Sequence, residues 1–440
     1  MSLSQKIAFN TVIQIGAKII TTIFGLLVTI FLTHYLGRDG FGDYMYVVSL
    51  VIIFGALADW GTATIGVREA AQRKNDQAKI LTNIIIIRLF FSLVAALLMV
   101  LTALVIPLKT TNDWLLRQTM ALGGLVIIFS AIKNSLFVVF QTKLQFKKQA
   151  LVEISTSFIL LVLSFFLIKQ QFGLLFLVGA IVLANFFGMI FSFLLAKQTC
   201  KFTFQLDKEF IKKFLVEAFP MGLILLIFTI DNKIDALMLG SIKGSGAVGI
   251  YAVASRIYDV LILGAAYLMI ALLPVISRYA NLEKWREKLR EIYQKSFDLL
   301  LFMALAMVVG LWLLAPLAVK LITQSRFLEF SESVVVLRLL ALALFLAYFN
   351  HLTGYTIVAL GKQRIYFFIA LGALVFNVSA NAFVIPRFSF YGAAGVTILT
   401  EGLVLLVTTI LIFRLIGLWP SPCQFPKTII VFLKNRGKIF

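Results

Sequence analysis

The residues best suited to chemistry lie within one apolar stretch, residues 226–256. Asp231, Lys233 and Asp235 interrupt its first half, and Arg256 follows a glycine-rich turn. A charged side chain at the centre of a membrane helix costs about 2.5–3.5 kcal/mol. Charges at this density therefore indicate a helix surface that faces water or other protein groups rather than lipid.

Two basic residues are predicted to lie near the middle of a bilayer, Lys18 in the first apolar segment and Arg256 in the eighth. A helical rise of about 1.5 Å per residue places both roughly 15 Å deep. Arginine offers a bidentate fork to a phosphate and lysine a point charge. Together they predict a cationic site for an anionic headgroup such as a phosphate or pyrophosphate. Lys233, nearer the outer face, and Lys133 are further candidates for this contact.

The acidic residues form a second group of candidates. Asp231 and Asp235 are four residues apart and share one helix face, where like charges repel unless a cation or a proton intervenes. They predict a coupling-ion or proton site. The alternative is structural, with the acids pairing to Lys18, Lys233 or Arg256 and holding helices together. The candidates for this cavity or ion site are Asp59, Asp231, Asn232, Asp235 and Asp259.

Other ionisable residues lie in the remaining apolar segments. Arg88 and Arg338 are close to predicted span ends, so their long side chains are expected to reach the membrane surface. Glu153 and Glu401 lie inside spans. His351, beside Asn350, is either a proton relay or a packed polar residue within a helical bundle.

The composition is that of a polytopic membrane protein. Of 440 residues, 61% are hydrophobic and 14% are charged, against about 25% charged in a soluble domain. The net charge of +20 does not indicate nucleic-acid binding, because the basic residues fall in short segments between apolar runs, as the positive-inside rule requires. Two cysteines exclude a disulfide framework. The first apolar segment is too long for a signal peptide and is predicted to be an uncleaved span.

The pattern predicts an all-α fold of twelve transmembrane helices, with both termini in the cytoplasm. An echo between two turns indicates an internal duplication: Leu36-Gly37, Gly40, Gly42 and Tyr44 match Leu239-Gly240, Gly246, Gly249 and Tyr251. An even number of spans per copy predicts parallel repeats about an axis along the membrane normal. The predicted organisation is a six-helix lobe at 1–200, a cytoplasmic linker at 201–213, a second six-helix lobe at 214–416 and a basic cytoplasmic tail at 417–440.

The sequence contains no motif typical of a catalytic site. Zinc-ligand spacings, a phosphate-binding loop and a nucleophile elbow are missing from it. We therefore expect a transporter rather than an enzyme, with no cofactor and no metal. Its energy source would be a proton gradient, a sodium gradient or the membrane potential.

The first 70 residues resemble the start of Wzx-type polysaccharide flippases, which belong to the multidrug/oligosaccharidyl-lipid/polysaccharide (MOP) exporter superfamily. The second half fits through Leu239-Gly240, Gly249-Ile-Tyr251 and Tyr391-Gly392. The residues that carry the resemblance in the first half are Asn10, Gly16, Lys18, Tyr35-Leu36-Gly37, Gly40, Gly42-Asp43-Tyr44, Asp59-Trp60-Gly61 and Arg68-Glu69.

This resemblance implies two six-helix lobes that form a V, with spans one, two, seven and eight around a central cavity. It implies movement of undecaprenyl-pyrophosphate-linked oligosaccharides to the outer leaflet of the cell (inner) membrane by alternating access, for O-antigen or capsule synthesis. It places the cavity cations at Lys18 and Arg256. The implied partners are membrane lipids, the lipid-linked glycan, and a polymerase or chain-length regulator. The alternatives are a drug or organic-cation antiporter of the same superfamily, or a membrane polysaccharide polymerase or ligase.

Overall fold

All of the regular secondary structure is helical over the part of the chain that the structure, a computed structural model, describes. The described residues are 3–73, 76–106, 112–200, 205–280, 286–417, 419–421 and 425. Most of the predicted tail at 417–440 and the first part of the predicted linker lie outside them. The helices are α1 (Leu3–Asp59), α2 (Thr62–Gln72), α3 (Gln77–Val105), α4 (Asp113–Thr142), α5 (Phe146–Lys169), α6 (Leu174–Lys197), α7 (Lys208–Ile242), α8 (Ser245–Leu261), α9 (Leu263–Ala280), α10 (Arg286–Thr323), α11 (Ser333–Ala359) and α12 (Gln363–Ile416), with a 3-10 segment at Gln324–Phe330.

Ten helical segments among the described residues are long and apolar enough to cross a membrane, so the chain is a multi-pass membrane protein. The two longest helices, α1 and α12, are each interrupted once. Gly37 breaks α1 with a φ of 67°, and Ser389 breaks α12 with a φ of 52°. Gly37 falls between the spans that the sequence predicts at 8–35 and 43–66, and Ser389 falls between those predicted at 365–386 and 391–416. The ten segments are therefore consistent with twelve crossings.

Helix packing divides the chain into two compact units. Unit 1 comprises Met1–Gly249 and Ile322–Arg326, and unit 2 comprises Ile250–Leu321 and Phe327–Phe440. These units follow spatial contacts, whereas the predicted lobe boundaries at 200 and 214 follow the internal repeat. The two-lobe division therefore stays a prediction.

Unit 1 is built around α4, which packs against α1, α3, α5 and α6. Its apolar core includes Ile84, Phe140, Val152 and Phe214, all at most 2% exposed. In unit 2, α11 packs against α9 and α12, and the hydroxyl of Tyr348 donates to the carbonyl of Leu261 over 2.8 Å. Burial of apolar side chains from facing helices is the main source of stability in both cores.

Candidate functional site

The two turns that echo each other in the sequence pack together within unit 1. A Cβ on Gly42 would overlap the carbonyl oxygen of Ser245, and a Cβ on Gly249 would overlap that of Arg38. The hydroxyl of Ser245 also donates to the carboxylate of Asp43. Glycine at both positions lets the two backbones approach closely. The two copies of the repeated motif therefore contact each other, and in each copy a glycine makes room for a backbone carbonyl of the other copy.

Helix α7 carries four of the predicted site residues in unit 1. Asp235 is 5% exposed, whereas Asp231 and Lys233 are half-buried and Asn232 is exposed. Each of the three charged residues takes part in at least one hydrogen-bonding or electrostatic interaction. A role for this group in ion coupling stays a prediction.

Lys18 lies on α1 with its side chain exposed. Three contacts between α1 and the α5 region show which residue of α5 corresponds to Lys18 along the helix axis. Asn10 donates to the carbonyl of Leu144 over 3.0 Å, across a sequence separation of 134 residues. The same separation relates two ring contacts further along these helices, Phe24 with Phe158 and Phe31 with Phe165.

At the separation shared by these three contacts, Lys18 of α1 corresponds to Val152 of α5. Lys133 of α4 also belongs to unit 1, and its Nζ donates to Asn185 Oδ1 of α6 over 2.8 Å. Unit 1 thus contains three of the four predicted cations, Lys18, Lys133 and Lys233.

Asp59 forms an ion pair with a buried arginine, which the sequence did not predict. Its carboxylate pairs with Arg88, and Arg88 Nε donates to Thr62 Oγ1 over 2.7 Å. Arg88 is only 1% exposed, so the expectation that it reaches the membrane surface is wrong. The backbone turns at Trp60 and Gly61, both with positive φ, and Asp59 accepts the backbone N–H of Ala63 beyond this turn. The pair therefore fastens α3 to the junction between α1 and α2.

In unit 2, Arg256 lies half-buried on α8. Its Nε atom is buried and has no hydrogen-bond partner among the described residues. A buried guanidinium nitrogen without an acceptor is costly, because it has lost water and gained nothing in return. Asp259, one turn further on, is half-buried and takes part in an interaction of its own.

Unit 2 also contains a polar pair that sequence reasoning missed. Asn350 Nδ2 of α11 donates to Glu401 Oε2 of α12 over 2.6 Å and to the Glu401 carbonyl over 2.9 Å. His351 is half-buried and lies beside the ring of Tyr355. The sequence shows that Glu401 lies inside an apolar helix, which marks it as a candidate polar contact. Its partner depends on how α11 packs against α12.

The start of α7 is fastened to α3 by polar contacts at the edge of unit 1. Lys79 Nζ lies 2.8 Å from Asp207 Oδ2, and Asp207 Oδ1 accepts the backbone N–H of Phe210 over 2.9 Å. The hydrogen bond from Lys79 lowers the pKa of the Asp207 carboxyl below its usual range. Within the described ranges, no cluster of three or more His, Cys, Asp or Glu residues could hold a metal ion.

Comparison with known proteins gives a consistent family. The family described as polysaccharide biosynthesis protein matches residues 7–280, and the family described as MatE matches residues 220–383. No curated protein matches the sequence.

Similar solved structures cover nearly the whole chain. The lipid II flippase MurJ in an inward closed conformation is 16% identical, with 96% of this chain and 93% of that chain covered and a TM-score of 0.78. An inward-facing multidrug resistance MATE family transporter of the MOP superfamily is 17% identical, with 92% and 98% covered and a TM-score of 0.74. A MOP superfamily transporter from Pyrococcus furiosus, described as having a binding pocket of reverse polarity, is 18% identical, with 94% and 95% covered and a TM-score of 0.61.

The family match spans more than half of the chain and includes Lys18, Asp59, Lys133 and Arg256. The structural matches add the fold over almost all of its length. The chain therefore belongs to the polysaccharide biosynthesis protein family, and its fold is that of the MOP superfamily of membrane transporters and flippases.

Proposed function

We propose that this protein is a flippase that moves undecaprenyl-pyrophosphate-linked oligosaccharide units from the cytoplasmic to the outer leaflet of the cell membrane. The observation that carries the proposal is the match of residues 7–280 to the polysaccharide biosynthesis family. The lipid II flippase MurJ, which shares the fold, acts by its name on a lipid-linked substrate. In this proposal both termini face the cytoplasm, and the glycan serves O-antigen or capsule synthesis alongside a polymerase and a chain-length regulator.

The proposed headgroup ligands, each of them tested by its own variant, are Lys18, Arg256, Lys233 and Lys133. A pyrophosphate carries negative charge on several oxygens and is best held by groups that donate in a fixed geometry. The buried Nε of Arg256 supports this role, since it is a donor without an acceptor among the described residues. The side chain of Lys18 is exposed on α1.

Export of surface glycan by variants in a strain that lacks the gene tests this proposal. We expect Arg256→Ala and Lys18→Ala each to abolish export, and alanine at either of the other two ligands to reduce it, while the protein still inserts at normal levels. Arg338→Ala is the matched control, because Arg338 also lies in an apolar helix but donates to the Trp312 carbonyl over 3.2 Å. Normal export by the Lys18→Ala/Arg256→Ala double variant would refute the assignment of the headgroup ligands.

A drug or organic-cation antiporter is the second candidate, and the MatE match over residues 220–383 favours it. The sign of the charge at the binding site separates the two functions, because a cationic site repels a cationic drug and attracts a pyrophosphate. Resistance of cells to organic cations that depends on this protein would support the antiporter.

A further inference from the structure

Two lysine amines converge on one residue where the turn between α4 and α5 meets the end of α6. Lys143 Nζ donates to the carbonyl oxygen of Thr199. Lys148 Nζ donates to Thr199 Oγ1 over 2.7 Å and lies 3.5 Å from the carbonyl oxygen of Leu195. The two ammonium groups are therefore held close together, although like charges repel.

No acidic side chain among the described residues forms an ion pair with either amine. Residues 113–200 include two acids. Asp113 pairs with Arg117 at the other end of α4, and Glu153 accepts from Gln149 over 2.9 Å. The carbonyl end of α6 carries a partial charge of about −0.5, so two lysines leave a net charge of about +1.5 there.

Both amines keep hydrogen-bond donors for a further acceptor. A lysine ammonium has three N–H donors. The contacts with Thr199 and Leu195 use one donor of Lys143 and two of Lys148, so three remain. Both side chains are half-buried, whereas Lys147 and Lys197 are exposed. Positive charge with several donors suits an anion with several oxygens, such as a phosphate.

Apolar surfaces extend along α5 and α6 from the exposed lysines. On α6, four residues that share the helix face of Lys197 are 38–54% exposed: Leu183, Phe187, Ile190 and Leu194. On α5, three residues that share the face of Lys147 are also exposed: Leu151, Phe158 and Phe165. Both helices are long and apolar enough to cross a membrane, so these faces suit contact with acyl chains.

We propose that Lys143 and Lys148, with Lys147 and Lys197 at the edge, bind the phosphate of an anionic phospholipid. The predicted topology places this lipid in the cytoplasmic leaflet. The apolar faces that continue from the lysines favour a lipid over a soluble phosphate. The uncompensated positive charge favours an anionic headgroup over a zwitterionic one, which carries its own cation.

The bound phosphate bridges α4 and α5, because Lys143 is the last residue of the α4 end and Lys148 lies in the first turn of α5. The same turn is attached to α1, since Leu144 accepts from Asn10 Nδ2 over 3.0 Å. We therefore expect the lipid to stabilise unit 1. This inference goes beyond the proposed function and does not depend on which substrate the protein moves.

Thermal unfolding of the full-length protein in nanodiscs of defined lipid tests the site. We expect a higher melting temperature in phosphatidylglycerol than in phosphatidylcholine, and we expect Lys143→Gln/Lys148→Gln to lose this difference. Lys212→Gln/Lys213→Gln is the matched control, because it removes two exposed lysines of α7 on the same predicted side, and should keep the difference. Each variant is compared with itself in two lipids, so a general loss of stability does not affect the result. A difference that survives in the first variant, or that the control also loses, would overturn the proposal.

Native mass spectrometry of the same proteins, titrated with phosphatidylglycerol, measures the affinity. Binding of the first lipid should weaken by about tenfold in Lys143→Gln/Lys148→Gln. The Lys212→Gln/Lys213→Gln control should weaken it by less than about twofold, since exposed charges contribute little. Equal weakening in both variants would show only a general attraction to surface charge and would overturn the site. Displacement of the lipid by inorganic phosphate would assign the site to a soluble anion and would also overturn the proposal.

Arg256→Ala separates this lipid site from the proposed headgroup site. This variant should keep the difference in melting temperature between the two lipids. Its loss would place the phospholipid at the headgroup ligands and refute a separate site. An unmodified protein that shows the lipid dependence but exports no glycan would refute the proposed function and leave the lipid site standing.

Discussion

Replacement of Asp59 by asparagine removes the charge that neutralises Arg88 inside unit 1. Arg88 is 1% exposed and Asp59 is 31% exposed, so the two single variants leave different residues behind. Asp59→Asn leaves a guanidinium without its counter-charge and out of reach of water, which costs about 3–5 kcal/mol. Arg88→Met leaves a carboxylate that still contacts solvent, so we expect a smaller cost of about 1–3 kcal/mol.

The double variant Asp59→Asn/Arg88→Met should be little less stable than Arg88→Met alone, because no charge is then left without a partner. The coupling between the two sites should therefore be at least about 2 kcal/mol. The free energy of unfolding of the purified protein in mixed micelles, titrated with SDS, measures each variant. Glu217→Gln is the control and should cost less than about 1 kcal/mol, since its pair with Arg68 is partly exposed. Equal costs for the two single variants, or additivity within about 0.5 kcal/mol, would refute the reasoning.

Two further predictions concern contacts at the ends of unit 1. Gly42→Ala and Gly249→Ala should each lower the melting temperature, because the new Cβ would overlap a backbone carbonyl oxygen. Gly16→Ala is the control and should leave the melting temperature unchanged, since no atom lies within 4 Å of the added Cβ. Equal melting temperatures for all three variants would contradict the close contact. Asp207→Ala should destabilise the protein more than Asp207→Asn, since asparagine still caps α7 but loses the pair with Lys79. The stabilisation from that pair is present at neutral pH and is lost as the pH falls through the lowered pKa of Asp207, so the difference between the unmodified protein and Asp207→Asn should shrink in acid. A difference that is constant with pH would contradict it.

Hydrophobic pattern alone predicted the helical membrane fold, because each span is long and nearly free of charge. The break in α1 could also be predicted from the sequence, because it occurs at Gly37, which adopts a positive φ that glycine tolerates. The break in α12 occurs at Ser389, whose identity carries no such signal, although the predicted spans on either side left a gap there.

The partners of the polar residues were largely hidden in the sequence. Arg88 was expected at the membrane surface because its distance from a span end is visible in the sequence, whereas its pairing with Asp59 across 29 residues depends on how α3 packs. Asn185 is neutral, so nothing in a hydropathy pattern marks it as the acceptor for Lys133. Charge in an apolar segment thus identifies a candidate residue, but packing decides whether that residue is a ligand or a structural partner.

The most direct test of the proposed function is a flipping assay with the purified protein in proteoliposomes. The substrates are an undecaprenyl-pyrophosphate-linked oligosaccharide, detected by an enzyme that reaches only the outer leaflet, and a fluorescent organic cation. We predict that the unmodified protein transfers the lipid-linked glycan, that Arg256→Ala does not, and that neither transports the cation. Transport of the organic cation without transfer of the glycan would contradict the proposal.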